Sequence, residues 1–179
     1  ATVTGDWNAA IFASKAQDAA VTSYDMTNVV QLSEQPVSAT ENALFFTAAP
    51  IEGSANVVAN GVCDSLLIHT RSEFASAKAF TARKAVLVLD DAKAGEWNDV
   101  FMPFSAPLPY GMQGRVVNTI ERSRLTVSNV REAEAMKPLL YLADREGLNT
   151  IEATDVALST DTVGSLVDGF WKGSTLKTS

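Results

Sequence analysis

Cysteine and histidine are almost absent from this sequence. Its 179 residues include one cysteine, Cys63, and one histidine, His69. A single cysteine excludes an internal disulfide and a cysteine-based zinc site. Any histidine-dependent triad would have to use His69, and no Gly-x-Ser-x-Gly nucleophile motif is present. We therefore predict that His69 is a surface or hydrogen-bonded residue and that Cys63 is a small buried side chain.

Positive charge is also scarce. The chain has 14 lysines and arginines against 21 aspartates and glutamates, a formal net charge of −7. Because surfaces that bind nucleic acid or anionic membranes are basic, we expect neither as a partner. No apolar run approaches the roughly 20 residues of a membrane helix. A signal-type N-terminus and the glycine-rich nucleotide motifs are missing too. We expect no membrane-spanning segment and no cofactor.

Apolar residues, in contrast, are present in ordinary proportion, at 46%. A chain of this length corresponds to one domain or two small ones, because domains have roughly 100–200 residues. Its apolar fraction is sufficient for a buried core, which excludes a disordered chain.

The first 20 residues carry a helical pattern. Asp6 can cap a helix N-terminus, and Trp7, Ile11 and Phe12 recur at the spacing of one helical face. The alanines between them favour helix. We predict an N-terminal helix.

From residue 21 onward the sequence is a series of short β-type runs. They are rich in Val, Leu, Phe, Thr and Tyr, and turn-forming residues separate them. The predicted strands cover residues 21–26, 43–47, 56–59, 65–69, 79–89, 99–104, 115–119, 125–130, 139–143, 150–153 and 167–172. Many short strands with little helix indicate a sandwich, a barrel or a β-solenoid.

The spacing of these strands predicts two regions in a mainly β chain. Residues 1–72 combine the N-terminal helix with short, irregular, solenoid-like strand repeats and a turn at Asn60 and Gly61. Residues 73–179 carry longer runs typical of an antiparallel β-sandwich. Because no linker rich in glycine, serine or proline separates them, we expect the two regions to pack together.

Several strand phrases resemble a known module. They are SYDMT at 23–27, ENALFF at 41–46, NVVANGVCDSLLI at 56–68, AFTA at 79–82, WNDVFMPF at 97–104, KPLLYL at 137–142 and LVDGFWKG at 166–173. Together they resemble an uncharacterised C-terminal β-rich module of surface and secreted proteins of Bacteroidetes, often found after leucine-rich-type repeats. The chain departs from that pattern at Val86, Leu87 and Val88, where the family has an aromatic, and at Phe101, where it has a cysteine. The resemblance implies an exported protein that is secreted, on the cell surface or attached to the outer membrane.

Carboxylates supply a further candidate chemistry. A glycoside hydrolase needs two of them across a cleft, and calcium takes oxygen ligands. The candidates are Asp90, Asp91, Glu96, Asp99, Glu132 and Glu134. All lie in polar, turn-like stretches where acidic residues usually form turns and solvated surface. We assign no catalytic residue and no metal ligand, and cation binding by Asp90, Asp91, Glu96 or Asp99 stays open.

Aromatic side chains are the remaining candidates for ligand binding. Trp97 beside Asn98 and Asp99, and Trp171 in a glycine-flanked segment, have the chemistry of a platform on which sugar rings stack. Core burial is the more common location of such residues, and we expect it here.

From these patterns we expect a non-catalytic module of an exported or cell-surface bacterial protein, with an adhesive or structural role. Its partner would be a host or microbial glycan or a protein. Two alternatives stay open, a carbohydrate-binding module with an aromatic platform and a glycoside hydrolase-like enzyme.

Overall fold

The computed structural model describes residues 2–5, 21–29, 36–121, 124–160, 163–166 and 171–174, with backbone alone for 2–5, 120, 163–166 and 171–174. These residues are mainly β and include no helix. The strands are β1 (Thr2–Gly5), β2 (Ser23–Val29), β3 (Leu44–Thr47), β4 (Val57–Ala59), β5 (Val62–His69), β6 (Phe80–Val88), β7 (Trp97–Phe101), β8 (Ala106–Pro107), β9 (Met112–Glu121), β10 (Arg124–Val130), β11 (Glu132–Ala133), β12 (Pro138–Ala143), β13 (Thr150–Leu158), β14 (Val163–Leu166) and β15 (Trp171–Ser174).

The predicted N-terminal helix is not supported. Its first residues form β1, which pairs in parallel with β2. Thr2, Val3 and Thr4 are β-branched, and such side chains favour extended backbone over helix. Residues 6–20, which carry the cap and the periodic apolar positions, lie outside the described residues.

The described strands form a seven-stranded sheet in the order β1-β2-β3-β4-β5-β6-β13, a four-stranded sheet in the order β10-β9-β12-β7, and the pairs β11-β8 and β14-β15.

The predicted strands match the observed strands closely where the apolar run is long, as for the predicted strand over residues 79–89, which corresponds to β6. The two-residue strands β8 and β11 are not predicted, because so short a pairing has no periodicity to detect.

The chain divides into two compact units whose segments interleave along the sequence. Unit 1 comprises Ala1–Ile68, Ser72–Ala85 and Thr154–Thr160, and unit 2 comprises His69–Arg71, Val86–Ala153 and Asp161–Ser179. The sequence suggests instead one division between residues 72 and 73.

Unit 1 contains a solenoid-like stack of parallel strands, β1 to β4. Their register aligns Tyr24 with Phe45, and Phe45 with Val57. Since neighbouring strands lie about 4.8 Å apart, aligned side chains of successive coils lie above one another. The rings of Tyr24 and Phe45 accordingly stack with centroids 5.4 Å apart. The three residues belong to a buried apolar cluster with Met26, Val29 and Ala43.

A two-residue turn ends the parallel stack. Asn60 and Gly61 have φ angles of 51° and 76°, as a type I′ turn requires at both central positions. The turn reverses the chain, so that β5 pairs antiparallel with β4. The Asn-Gly pair in the sequence predicts this turn.

Asn56 joins the stack to the strand that follows the turn. Its backbone carbonyl accepts a hydrogen bond from the Phe45 N–H at 2.9 Å, and its N–H donates to the Ser65 carbonyl at 2.8 Å. Its side-chain amide donates to the Leu67 carbonyl at 2.9 Å and accepts from the Leu67 N–H at 2.7 Å. The residue is buried and left-handed, with a φ of 59°. One asparagine thus connects β3 to β5.

The four-stranded sheet of unit 2 is antiparallel, with β12 in its interior between β7 and β9. β12 begins at Pro138, a position where a strand tolerates a residue without an N–H. Leu139 and Tyr141 on one face of β12 are buried, whereas Leu140 and Leu142 on the other are half-buried. In the sheet as described, β7 and β10 are the edge strands.

We expect Asn56→Ala to lower the free energy of unfolding by about 2–4 kcal/mol. It removes both side-chain bonds to the Leu67 backbone, leaving buried polar groups unsatisfied, and it places alanine in a left-handed conformation. Asn60→Ala is the matched control, because Asn60 shares the left-handed backbone but is exposed. Urea unfolding measures both variants. Equal losses would show that the side-chain bonds of Asn56 contribute nothing beyond its backbone conformation.

Candidate functional site

His69 is part of a clamp built around Asp90. The His69 Nδ1 lies 3.0 Å from Asp90 Oδ1, and the Arg71 backbone N–H donates to Asp90 Oδ2 at 3.2 Å. The Thr70 hydroxyl accepts a hydrogen bond from the Asp90 N–H at 2.9 Å. All four residues belong to unit 2. The geometry agrees with the prediction that His69 is a hydrogen-bonded residue at a strand end.

The ionised form of Asp90 is stabilised by these contacts. Burial acts to raise the pKa of Asp90, but the hydrogen bonds from His69 and the Arg71 N–H and the nearby positive charge outweigh it and hold that pKa below its usual value. The Arg71 guanidinium, 3.4 Å from Oδ1, contributes to this charge. The carboxylate therefore links the segment after β5 to the end of β6 through ionic and neutral bonds.

Cys63 lies on β5 and is fully buried, as predicted. Burial raises the pKa of its thiol to about 11, and the Sγ–H donates to the Ser65 carbonyl at 3.3 Å. A buried neutral thiol is a weak nucleophile, because the thiolate is the reactive form.

The other candidate carboxylates lie at the surface, and burial, together with the charges of Asp91 and Asp99, raises the pKa of Tyr141 to about 12. Asp91, Glu96, Glu132 and Glu134 are exposed, and Asp99 is half-exposed. Glu134 forms an ion pair with Lys137. The Oε2 atom of Glu96 lies 3.8 Å from the Nζ atom of Lys93. In the described part of the chain, no three side chains of His, Cys, Asp or Glu come together as a group that could hold a metal ion.

Trp97 does not lie in the core, so the expectation of core burial is wrong for this residue. It begins the edge strand β7, and 40% of it is exposed. Its cross-strand partner is the half-buried Leu142. Val100 and Phe101, later on the same strand, supply the buried contacts instead. For Trp171 the backbone belongs to β15, and its side chain lies outside the described residues.

Arg115 on β9 covers part of the Trp97 ring. Its guanidinium carbon lies 4.4 Å from the ring centroid, a cation–π contact. The Arg115 Nε–H donates to Asn129 Oδ1 on β10 at 3.1 Å. The register places Asp99, Leu140, Arg115 and Asn129 in one row across the sheet. Arg115 reaches across Leu140 to the indole, so the aromatic surface is positively charged on one side.

Two adjacent cavities lie beside this row. One, of about 280 Å³, is lined by residues that include Gln113, Asn129 and Arg131. The other, of about 410 Å³, shares Gln113 and Arg131 with it and extends to Tyr110 and Asp144. We name Trp97, Arg115, Asn129, Gln113, Arg131, Tyr110 and Asp144 the aromatic groove.

Tyr110 is the most exposed aromatic side chain of the described residues, at 92%. It lies on a turn held by hydrogen bonds from the Met112 N–H to the Pro109 carbonyl and from the Asp144 N–H to the Gly111 carbonyl, both 3.0 Å. Gly111 has a φ of 90°, and a Cβ there would lie 2.5 Å from Asp144 Oδ1. The turn therefore holds an exposed ring on a fixed backbone.

Sequence reasoning does not single out most of the groove. It proposes Trp97 but not Tyr110, Arg115 or Arg131. One local signal was available: an aromatic between Pro109 and Gly111 lies in a turn, and turns lie at the surface. The two arginines carry no such signal, because they meet the aromatics only through strand pairing.

None of the described residues forms a helix with the length and apolar character needed to cross a membrane.

We expect Asp90→Asn to lower the free energy of unfolding at pH 7 by about 1–3 kcal/mol, because it removes a charged acceptor from three donors. The pKa of Asp90 is lower in the folded than in the unfolded protein, so its stabilisation is complete above about pH 4 and is lost as the pH falls through the folded pKa. The variant should therefore lose less stability than the wild type on acidification. Denaturant titrations at pH 7 and pH 3 measure both effects, with Asp91→Asn as the control. A variant with wild-type stability at pH 7 would contradict the clamp.

We expect Cys63 to react with a thiol reagent at least about 100-fold more slowly in the folded than in the unfolded protein at pH 8. Raising the thiol pKa from 9.0 to about 11 lowers the thiolate fraction by that factor, and burial also blocks access. Absorbance from a disulfide-exchange reagent reports this one thiol. Reaction at the unfolded rate would show that β5 opens readily.

Comparisons with known protein families, with curated proteins and with solved structures find no match to this chain. The resemblance to the Bacteroidetes module accordingly stays a prediction. The proposed function rests on that resemblance and on the side chains of the aromatic groove.

Proposed function

We propose that this chain is a non-catalytic module of an exported or cell-surface bacterial protein, with an adhesive or structural role. One observation carries the proposal: two aromatic side chains of unit 2 are exposed, Trp97 on β7 and Tyr110 in the lining of a cavity of about 410 Å³. Exposed aromatics next to concave polar surface are typical of binding sites. The sequence resemblance supports export and surface location.

The groups with the most reactive chemistry have structural roles in this proposal. His69 and Asp90 bond one another, and the thiol of Cys63 is buried. A role in recognition requires none of them to react. It requires an exposed surface of fixed shape, which strands β7, β9, β10 and β12 supply.

Carbohydrate binding is the second candidate function, favoured by the exposure of Trp97. The faces of aromatic rings carry partial negative charge and attract the C–H groups of a sugar ring. Asn129 and Gln113 supply amide groups that both donate and accept hydrogen bonds, as sugar hydroxyls require. Arg115 occupies one face of the indole, so a sugar would contact the remaining exposed part.

We also propose that the four-stranded sheet of unit 2 is one layer of an antiparallel β-sandwich. Burial alternates along the middle of β12, where Leu139 and Tyr141 are buried and Leu140 and Leu142 are half-buried. A strand with one covered face needs a second layer against that face. The remaining strands of unit 2 would supply part of that layer.

An antibody raised against the purified chain tests the surface location. We expect it to label intact cells of the source organism, and protease treatment of those cells to remove the label. Labelling only after the cells are broken open would contradict export to the surface.

We expect Trp97→Ala to weaken glycan binding by the purified chain at least tenfold, measured on a glycan array and confirmed by calorimetry. Aromatic anchors at the centre of a binding site commonly contribute this much or more. Leu125→Ala is the control, because Leu125 is a large exposed side chain of the same sheet, 52% exposed, outside the groove. Trp171→Ala tests the second predicted aromatic in the same assay. Undiminished binding by the Trp97 variant would contradict the platform.

A further inference from the structure

The charges around the aromatic groove differ in sign from those of the whole chain. The protein carries a net charge of −7, yet the groove contains Arg115 and Arg131 and one acidic residue, Asp144. Asp144 forms an ion pair with Arg145 at 3.0 Å, which compensates its charge. The groove therefore presents a net positive charge.

Neither groove arginine has its charge neutralised by a carboxylate among the described residues. Arg115 donates its Nε–H to the neutral Asn129, and the Arg131 side chain, which is exposed, forms no ion pair within the described part of the chain. The acid in register with Arg115 is Asp99, two strands away, and no ion pair joins the two among the described residues.

Arg131 and Tyr110 line the same cavity, which has a volume of about 410 Å³. Binding pockets for small ligands have volumes of roughly 300–1,000 Å³, so this cavity can hold a sugar unit. A guanidinium with free N–H groups binds carboxylate or sulfate through two parallel hydrogen bonds. The cavity thus combines a stacking surface, a cation and the amide of Gln113.

We propose that the aromatic groove binds an anionic saccharide, with one sugar ring on Tyr110 and its acidic group at Arg131. The inference rests on the carbohydrate-binding candidate and names the ligand class of that site. Gln113 and Asn129 bond the hydroxyls of the bound sugar. The next sugar extends past Gln113 toward Trp97, which lies in the same row of the sheet. Arg115 covers the Trp97 ring with a second positive charge.

An acidic peptide would meet the same two arginines, but it would make no use of the Tyr110 ring. This ring is 92% exposed, on a turn that two backbone hydrogen bonds hold in place. A flat sugar ring fits such an isolated aromatic face, whereas a peptide carboxylate needs only the cation. The saccharide is therefore the better fit.

Calorimetry on the full chain tests the proposal with matched probes. These are a galacturonic acid trimer, a galactose trimer and a sulfated galactose trimer, with a glutamate tetrapeptide and inorganic phosphate as further anions. We expect one or both acidic trimers to bind at least tenfold more tightly than the neutral trimer, the peptide and phosphate. The two acidic trimers distinguish carboxylate from sulfate as the preferred group. Higher salt should weaken the binding.

Variants locate the bound ligand. We expect Arg131→Gln and Tyr110→Ala each to weaken binding of the acidic trimer at least tenfold, and Tyr110→Phe to retain it, because the ring is kept. Arg131→Gln should weaken binding of the neutral trimer much less than binding of the acidic trimer, because the neutral sugar has no anionic group. Arg124→Gln is the matched control, because it removes an exposed arginine of β10 outside the groove. Circular dichroism verifies that each variant is folded.

Each contrary result has a distinct meaning. Equal binding of neutral and acidic trimers would overturn the anionic preference while leaving carbohydrate binding intact. Equal binding of the peptide or of phosphate would overturn the saccharide assignment. Acidic binding that survives both Arg131→Gln and Tyr110→Ala would place the ligand elsewhere. No saccharide binding at all would overturn this inference and the carbohydrate candidate, whereas the proposed surface location is judged separately by antibody labelling.

Discussion

The structure of unit 1 depends on one constraint: the backbone groups at the end of a parallel stack must find partners. Asn56 meets this constraint from a left-handed conformation, by bonding Phe45 and Ser65 through its backbone and both polar groups of Leu67 through its amide. Four residues after Asn56, the chain reaches the Asn60 and Gly61 turn, and β5 returns along β4. The geometry of one buried asparagine thus connects stacked coils to antiparallel strands.

Charge has two different roles in the two units. In unit 1, Asp25 bonds Lys78 at 2.8 Å, and hydrogen bonds from Lys78 and Thr27 lower the pKa of this carboxyl to about 2. In unit 2, Asp90 is the centre of a comparable clamp, whereas Arg115 and Arg131 have no carboxylate partner among the described residues. Asp25 and Asp90 are paired, whereas Arg115 lies on Trp97 and Arg131 lines the cavity of Tyr110. This separation is what favours a binding role for unit 2.

Sequence reasoning succeeds where the signal is local and fails where it depends on distant neighbours. The run around β6 and the Asn60 and Gly61 turn follow from periodicity and from the backbone freedom of asparagine and glycine. The predicted helix over the first 20 residues is wrong for Thr2–Gly5, because the β-branched residues of this segment form β1 and pair with β2. The prediction that Trp97 is buried is also wrong. An apolar residue that would be buried on a central strand can be exposed on an edge strand such as β7, and the local sequence does not tell the two apart.

The sequence by itself determined that the chain is mainly β, where most strands lie, that its one thiol is buried, and that its surface is acidic. These properties follow from composition and short-range pattern, which act within a few residues. Only the tertiary structure decided that β7 is an edge strand, that His69 meets Asp90, that Arg115 lies on Trp97, and that Arg131 and Tyr110 line one cavity. Strand register across β7, β12, β9 and β10 brings those residues together, and register is set by the packing of whole strands rather than by any one of them.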